Sequence, residues 1–435
     1  MRILLEPELL RLGEIFARGG VELFAVGGWV RDRLLNRPVY DLDIAAGAES
    51  AQVEAICREH PQLSCSARDA GLAALTVHYD FDGVRGEAEF TAFRKESSRR
   101  DGSHRPLRVE GGATLEEDAS RRDFTINALY ARLSDGEVLD PLKGMNDLSA
   151  HLLRTTRTSD DVFAEDALRL LRLARFACEL GFPAEKETWT GACRQAAGLK
   201  HIVPSRVGQE LSRILLADHR QPAAGGEAVR QGLSLLRAMG AFPSSLPELP
   251  AGNLMESGIA AAARAPQRLR VRLAALCCGM ETQRASELCL RLGLGKNMAQ
   301  RVQNLLTFPQ MCSEDDELAL RLAQLGEEAA RDYVDLQYAC AETKLAQNAD
   351  RILTAMVKDG LPFTPDALAI SGREIAEIMG GTPGPKIGHM KRTLWKSVIQ
   401  RKTANEPSAL RHTIKQLTAH PEDWDDAENK EENVR

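Results

Sequence analysis

Residues 7–18 have helical periodicity, with apolar positions recurring three and four apart. A short apolar run, Leu23–Val26, follows and is broken by Gly27-Gly28. A second helical stretch is expected from Trp29 to Leu35 and a strand over Tyr40–Ala45. Residues 73–79 (AALTVHY) and 86–93 (GEAEFTAF) read as further strands. Residues 95–120 are polar and glycine-containing and read as a long loop, which inside a domain points to function or disorder. Beyond about residue 150 the strand signals fade, and Leu/Ala/Arg-rich periodicity predicts helices at 162–180, 205–216, 226–239, 254–279, 284–291, 297–307, 315–342, 346–358, 372–379 and 387–401. Pro/Gly stretches at 219–226, 241–252, 359–366 and 380–388 punctuate them. The expected architecture is an α/β head, residues 1–150, followed by an all-helical neck (151–216), body (217–345) and tail (346–420).

Composition narrows this picture further. With 43% hydrophobic and 27% charged residues in 435, sizeable cores are expected and wholesale disorder is not. The formal net charge of −6 excludes a bulk basic protein while leaving room for local basic patches. Much of that charge sits in residues 421–435, PEDWDDAENKEENVR, which are expected to form a solvated, disordered acidic end. The nine cysteines show no C-x-x-C and suit reduced, mostly buried thiols in a cytoplasmic protein. The first residues lack the pattern of a signal peptide. No run of roughly 18 apolar residues predicts a membrane span.

The candidate chemistry begins at Gly27-Gly28-Trp29-Val30-Arg31-Asp32, followed by Asp41-Leu42-Asp43. A glycine pair between strand and helix lets backbone N–H groups approach a phosphate closely, and Arg31 in the first helical turn could pair with it. On a strand, Asp41 and Asp43 share a face, and two carboxylates so placed repel unless a cation sits between them. Mg²⁺ takes one or two carboxylates plus phosphate oxygens and suits this arrangement. GEAEFTAFR offers Glu87 and Glu89 as a third carboxylate. Glu89 is preferred, because Phe90 and Ala92 would then pack on the other side. Three acids would allow two metals, one activating an attacking hydroxyl and one holding a triphosphate and its leaving pyrophosphate. Arg121 and Arg122 precede the apolar run INALYARL, from where an arginine can reach back to a triphosphate.

On a helix over 162–180, Glu165, Asp166, Arg169, Arg172 and Arg175 would share one half of the circumference, with leucines and alanines opposite. A solvated face laced with ion pairs is one reading of such a helix. The sharper reading is base recognition. Asp166 accepts hydrogen bonds and Arg169, one turn on, donates them. Cytosine and adenine both present an exocyclic amine beside a ring-nitrogen acceptor, whereas uracil and guanine present the reverse pattern and leave buried groups unpaired.

GGWVRD…DLDIA, AEFTAFR, RRDFTINAL, the DPLKG…DL run from Asp140 to Leu148, and EDALRLLRLARF occur in order. With them the chain resembles the class II tRNA nucleotidyltransferase/poly(A) polymerase family, and within it the bacterial CCA-adding enzymes. SRVGQELSRIL, with Arg206 and Glu210, looks like the next helical motif, and residues 370–390 resemble the tail region. The resemblance implies a polymerase-β-like nucleotidyltransferase head followed by an elongated all-α neck, body and tail. It implies that Gly28 and Arg31 contact nucleotide phosphates and that Asp41 and Asp43 bind Mg²⁺, with Glu89 as the third catalytic acid. Arg122 then contacts the nucleotide, Asp166 and Arg169 read the base, and Arg172 and Arg175 complete the site. Trp29 stands where the family often has a small residue. No H-x-x-x-H-D cluster appears, so the phosphohydrolase domain of some relatives is not expected. The long 95–120 segment leans toward full CCA or A addition.

The implied reaction is template-independent addition of C, C and A to the 3′ end of tRNA from CTP and ATP. A-adding, CC-adding and poly(A)-adding enzymes share the chemistry, and a non-catalytic RNA-binding protein is the reading from another class. Residues 385–402 carry six bases (Lys386, Lys391, Arg392, Lys396, Arg401, Lys402) and no acid, and are expected to face tRNA. Residues 264–302 carry eight bases against two acids and suit either RNA or a solvated helix face. No protein partner is implied.

Overall fold

The computed structural model describes residues 1–69, 74–97, 108–307, 314–341, 343–381 and 384–419. Among the described residues, nine strands and the first five helices build the head. Helix α1 is Pro7–Arg18, strand β1 Phe24–Val26, α2 Gly28–Leu34, β2 Asp43–Ala46, α3 Ser50–Glu59, β3 Leu63–Asp69, β4 Ala74–Phe81 and β5 Val84–Ala92. Then come β6 Arg94–Ser97, β7 Arg108–Gly111, α4 Leu115–Ser120, β8 Tyr130–Arg132, β9 Val138–Leu139 and α5 Gly144–Ser149. Seven strands form one sheet in the order β3-β4-β5-β2-β1-β8-β9. Every neighbouring pair is antiparallel except β2 and β5, which are parallel.

Two expectations for the head are corrected. The stretch 95–120 is not a plain loop. Strands β6 and β7 pair antiparallel, and a capping box at Thr114 and Glu117 starts α4. The middle of that stretch, 98–107, lies outside the described residues. The strand expected over 40–45 begins only at Asp43, so Asp41 stands on the approach to β2. Helix α3 and strand β3 are not among the expected elements, although Val53, Ile56 and Cys57 recur at helical spacing and Leu63, Cys65 and Ala67 alternate.

The helical part continues with α6 Ser159–Glu165, α7 Leu168–Leu180, α8 Lys186–Gln195, α9 Pro204–Leu215, α10 Gly226–Met239 and α11 Phe242–Ser245. After these come α12 Asn253–Arg264, α13 Leu269–Leu276, α14 Thr282–Arg291, α15 Lys296–Thr307, α16 Asp315–Leu325 and α17 Glu327–Ala339. The last are α18 Thr343–Lys358, α19 Gly372–Ile378, α20 Pro385–Ile399 and α21 Pro407–Ala419. Three of the expected long helices are split. Asp166 breaks 162–180, Ala265-Pro266 breaks 254–279, and Gly326, at φ +80°, breaks 315–342. Proline lacks the N–H a helix needs, and glycine takes a positive φ without strain. The acidic end expected at 421–435 lies outside the described residues.

The chain divides into two compact units. One is Met1–Leu249 with Arg291–Gly293, and the other is Pro250–Leu290 with Leu294–Arg435. In the first, α7 is buried along nearly its whole length and packs on α9 and α10. In the second, α13 is buried from Val271 to Leu276 and packs on α12, α15 and α17. There three cations of 264–302 enter ion pairs, Arg268 and Arg270 both gripping the buried Asp332 and Arg301 meeting Glu328. Among the described residues no helix is long and apolar enough to cross a membrane.

Candidate functional site

The head places its carboxylates through strand register. In the parallel β2–β5 pair Asp43 stands opposite Glu89, and Glu89 N–H donates to the Leu42 carbonyl at 2.8 Å. Register partners share a sheet face, so Asp43 and Glu89 stand together, while Ile44 and Phe90 are fully buried on the other side. Glu87 stands opposite His78 on β4 instead. Asp41 is exposed two residues before Asp43. Oxygen donors of this kind fit a hard divalent cation that completes its shell with phosphate and water. Among the described residues no three His, Cys, Asp or Glu side chains are gathered into a metal cage.

Next to this pair lies the glycine turn. Strand β1, hydrogen-bonded between β2 and β8, delivers Gly27 at φ +68°, a backbone region that L side chains rarely adopt. A Cβ on Gly27 would stand 3.5 Å from Arg122 Nη1, and one on Gly28 would stand 3.6 Å from Arg31 Nη2. Two guanidinium groups therefore converge on the turn. Trp29 is buried, and the Arg33 guanidinium lies over its ring at 4.8 Å.

The two arginines are held differently. Arg31 is buried, donating Nε to Asp32 (2.9 Å) and Nη1 to Asn127 Oδ1 (2.6 Å). Burial pulls its guanidinium below the ordinary value, and Asp32 partly opposes this. Asp32 also accepts from Arg220. Arg122 is gripped along its Nε–Nη2 edge by Asp118 (3.2 and 2.9 Å) and lies over the Tyr130 ring at 5.2 Å. Burial would raise the Asp118 carboxyl, but Arg122 and Arg121 outweigh it and hold the group below the usual carboxylate range.

A hydrogen-bonded relay joins α2, the 121–127 segment and α7. Asn127, already bound to Arg31, donates Nδ2 to Asp123 Oδ1 (3.1 Å), and Arg172 donates Nε to Asp123 Oδ2 (2.7 Å). Burial opposes the charge on Asp123, yet Arg172 and Asn127 together bring its pKa down to about 2. Phe176 lies beneath, with Arg175, Arg31 and Arg172 over its ring at 4.1, 5.1 and 5.2 Å. Behind the RRDFTIN segment, Asp140 accepts from the N–H groups of Gly144 and Met145, and Asp147 accepts from Thr125 Oγ1 at 2.7 Å. The DPLKG…DL run thus anchors the segment that carries Arg122 and Asp123.

The Asp123 shift has a measurable consequence. A folded pKa near 2, below the ordinary 3.8, contributes stability that is full above the ordinary value. That stability is lost as pH falls through the folded value. About 2 kcal/mol is expected to disappear between roughly pH 5 and pH 2. Urea midpoints of the parent and of Asp123→Asn across that range check it. The variant should start lower and show a flatter acid limb, and parallel curves would remove Asp123 as the source.

The neck residues are placed less simply than one helix face would put them. Asp166 is extended (φ −151°, ψ 100°) between α6 and α7, and its Oδ1 accepts from Leu168 N–H at 2.9 Å. That local bond competes with helix continuation and starts α7. Arg169 is buried and donates to the carbonyls of Val162 (3.0 Å) and Arg121 (2.6 Å). Arg175 donates to Glu210 (2.6 Å) and Glu179 (3.0 Å) inside the neck. Arg31 through Asn127, Arg169 through the Arg121 carbonyl and Arg172 through Asp123 all meet the 121–127 segment that carries Arg122, whereas Arg175 faces inward as an ion pair.

Sequence reasoning missed Asp32, Asp118, Asp123, Asn127, Tyr130 and Phe176. Asp123 and Asn127 did leave a signal, as two polar residues bracketing an apolar segment four apart. Asp118 left one too, since Arg121 and Arg122 follow it three and four residues on, and only its Tyr130 contact needs β8.

Residues 23–154 match the family model described as the poly A polymerase head domain. The CCA-adding enzyme of Limosilactobacillus fermentum is 31% identical over 412 residues, covering 93% of this chain and 94% of its own. The crystal structure of Bacillus stearothermophilus CCA-adding enzyme in complex with CTP superposes with a TM-score of 0.73 at 25% identity, covering 96% of this chain and all of that one. A Thermotoga maritima CCA-adding enzyme complexed with tRNA shares the fold, with a TM-score of 0.64 at 18% identity over 95% of this chain and 96% of that one.

Proposed function

The chain belongs to the family of CCA-adding enzymes, and from that premise we propose that it adds C, C and A to the 3′ end of tRNA from CTP and ATP, releasing pyrophosphate. The single observation that carries the reading in this chain is the register of Asp43 with Glu89 beside the Gly27-Gly28 turn.

Asp41, Asp43 and Glu89 would hold Mg²⁺, which supplies charge neutralisation and a more acidic 3′-hydroxyl. The turn at Gly27-Gly28 leaves room for phosphate oxygens against the backbone, and Arg122 offers Nη1 to them. Arg172, partly exposed, adds positive charge at the neck side. Arg31 and Arg175 act from behind, as buried pairs that hold α2 and α7 in place. Asp166, free of helical geometry in the break, accepts from the exocyclic amine of C or A. Arg169, braced by two carbonyls, donates to the neighbouring ring nitrogen. The 3′-hydroxyl of the tRNA attacks the α-phosphate, a P–O bond forms, and the bond to pyrophosphate breaks. The tail helix α20, with Lys386 and Arg392 exposed, is assigned to the RNA phosphates.

The deciding experiment gives the purified protein Mg²⁺, a tRNA ending at the discriminator base, and CTP and ATP separately and together. Three added nucleotides ending in CCA are expected. Two Cs only, A only on a CC-ended tRNA, or a long A ladder would each assign a different product, and no addition on any substrate would refute catalysis.

Base choice gives a separate expectation. Asp166→Ala removes the amine acceptor and the bond that starts α7. Selection of CTP over UTP, as a ratio of kcat/KM, should fall by about tenfold to a hundredfold, with about 1 kcal/mol of stability lost. Undiminished selectivity in single-nucleotide incorporation would put base reading elsewhere.

A further inference from the structure

Asp118 is a wholly buried acid (0% exposed) outside every role assigned above. Its Oδ1 accepts from Arg121 Nε (2.9 Å) and Nη2 (2.6 Å). Its Oδ2 accepts from Arg122 Nε (3.2 Å) and Nη2 (2.9 Å), and from Tyr130 Oη (2.7 Å). Tyr130 Oη accepts in turn from Arg122 Nε at 3.0 Å. A buried carboxylate is costly unless paired, and this one is surrounded by donors from α4's own end and from β8. The fork of Arg122 is thus engaged along one edge, which fixes the guanidinium plane. The remaining nitrogen, Nη1, is the one that stands 3.5 Å from the place of a Gly27 Cβ. The fold of α4 does not depend on Asp118 for its cap, which is the Thr114–Glu117 box.

We propose that Asp118 is the positioning residue for Arg122, holding its free edge toward the glycine turn so that it meets the triphosphate of the incoming CTP or ATP. The inference rests on reading Arg122 as a nucleotide contact. Tyr130 completes the clamp by closing the third side of the Oδ2–Nε contact.

Asp118→Asn keeps the shape but puts an amide N–H₂ against guanidinium donors, so one arginine must let go. The test is steady-state incorporation with CTP, ATP and tRNA varied in turn, for Asp118→Asn, Arg122→Ala and the double variant. Asp118→Asn should raise KM for both nucleotides about tenfold. It should leave KM for tRNA unchanged and kcat within about threefold. The double variant should be no worse than Arg122→Ala alone, because Asp118 acts through Arg122. Additive losses, or a fall in kcat at unchanged nucleotide KM, would make Asp118 a structural acid and overturn the proposal. A rise in nucleotide KM for Arg122→Ala with none for Asp118→Asn would sink the positioning role alone. No change for Arg122→Ala would take down the nucleotide reading of Arg122 as well. Should Asp118→Asn fail to fold, Asp118→Glu keeps the charge and displaces it by one methylene. It then carries the same expectation of a nucleotide-specific KM rise.

Discussion

Asp43→Ala is expected to lower nucleotide incorporation at least about a thousandfold, a transition-state loss of ~4 kcal/mol. Asp43 begins β2 and is exposed, so its removal takes nothing from the core, whose neighbours Ile44 and Ala45 stay in place. Its value lies in the register that sets it opposite Glu89. Removing one of the carboxylates proposed to hold a cation weakens the hold on the positive charge that would neutralise the triphosphate. tRNA binding should be unchanged, because it rests on phosphate contacts elsewhere. Single-turnover incorporation of labelled CTP, alongside a binding titration with tRNA, measures both. Glu87→Ala is the register control: Glu87 is two residues along β5 and opposite His78, and its loss should cost little. An Asp43→Ala enzyme within tenfold of the parent would refute the catalytic assignment.

Phe176→Ala is expected to destabilise the first unit by about 3–5 kcal/mol. The ring is buried, meets Phe124 edge-on at 5.8 Å, and supports three guanidinium groups on its faces. Truncation opens a cavity in the neck and withdraws the cation–π partner of Arg31, Arg172 and Arg175 together. Phe176→Leu restores most of the volume without the aromatic face and should recover more than half of the loss. Urea or guanidinium denaturation of the full chain, followed by far-ultraviolet circular dichroism, reads the difference. A loss under about 1 kcal/mol in the alanine variant would show that the guanidiniums are held by their carboxylates alone.

These two residues differ in how legible they were. Asp43 stood out in sequence because D-x-D after a glycine turn is chemically unusual and local. Alternation puts Glu87 and Glu89 on one face and does not separate them, whereas strand pairing sets Glu89, rather than Glu87, opposite Asp43. Phe176 looked like one more apolar position of an amphipathic helix. Its importance depends on Arg31 arriving from a helix almost 150 residues earlier in the chain. Asp166 was legible as a residue type but not as a conformation: a periodic pattern cannot register that one side chain captures a nearby N–H and ends the helix.

Periodicity and motif order are enough to read the α/β head, the change to an all-helical remainder near residue 150, and the family of the chain. Periodicity and glycine chemistry are local, and local rules read them. Folding sets which strand faces which, which arginines look outward and which are spent on buried acids, and how Asp118 and Asp123 tie the motifs together. A charged side chain carries the same letter whether it is solvated or buried, and the cost of burying it is met only by partners that folding brings from distant parts of the chain.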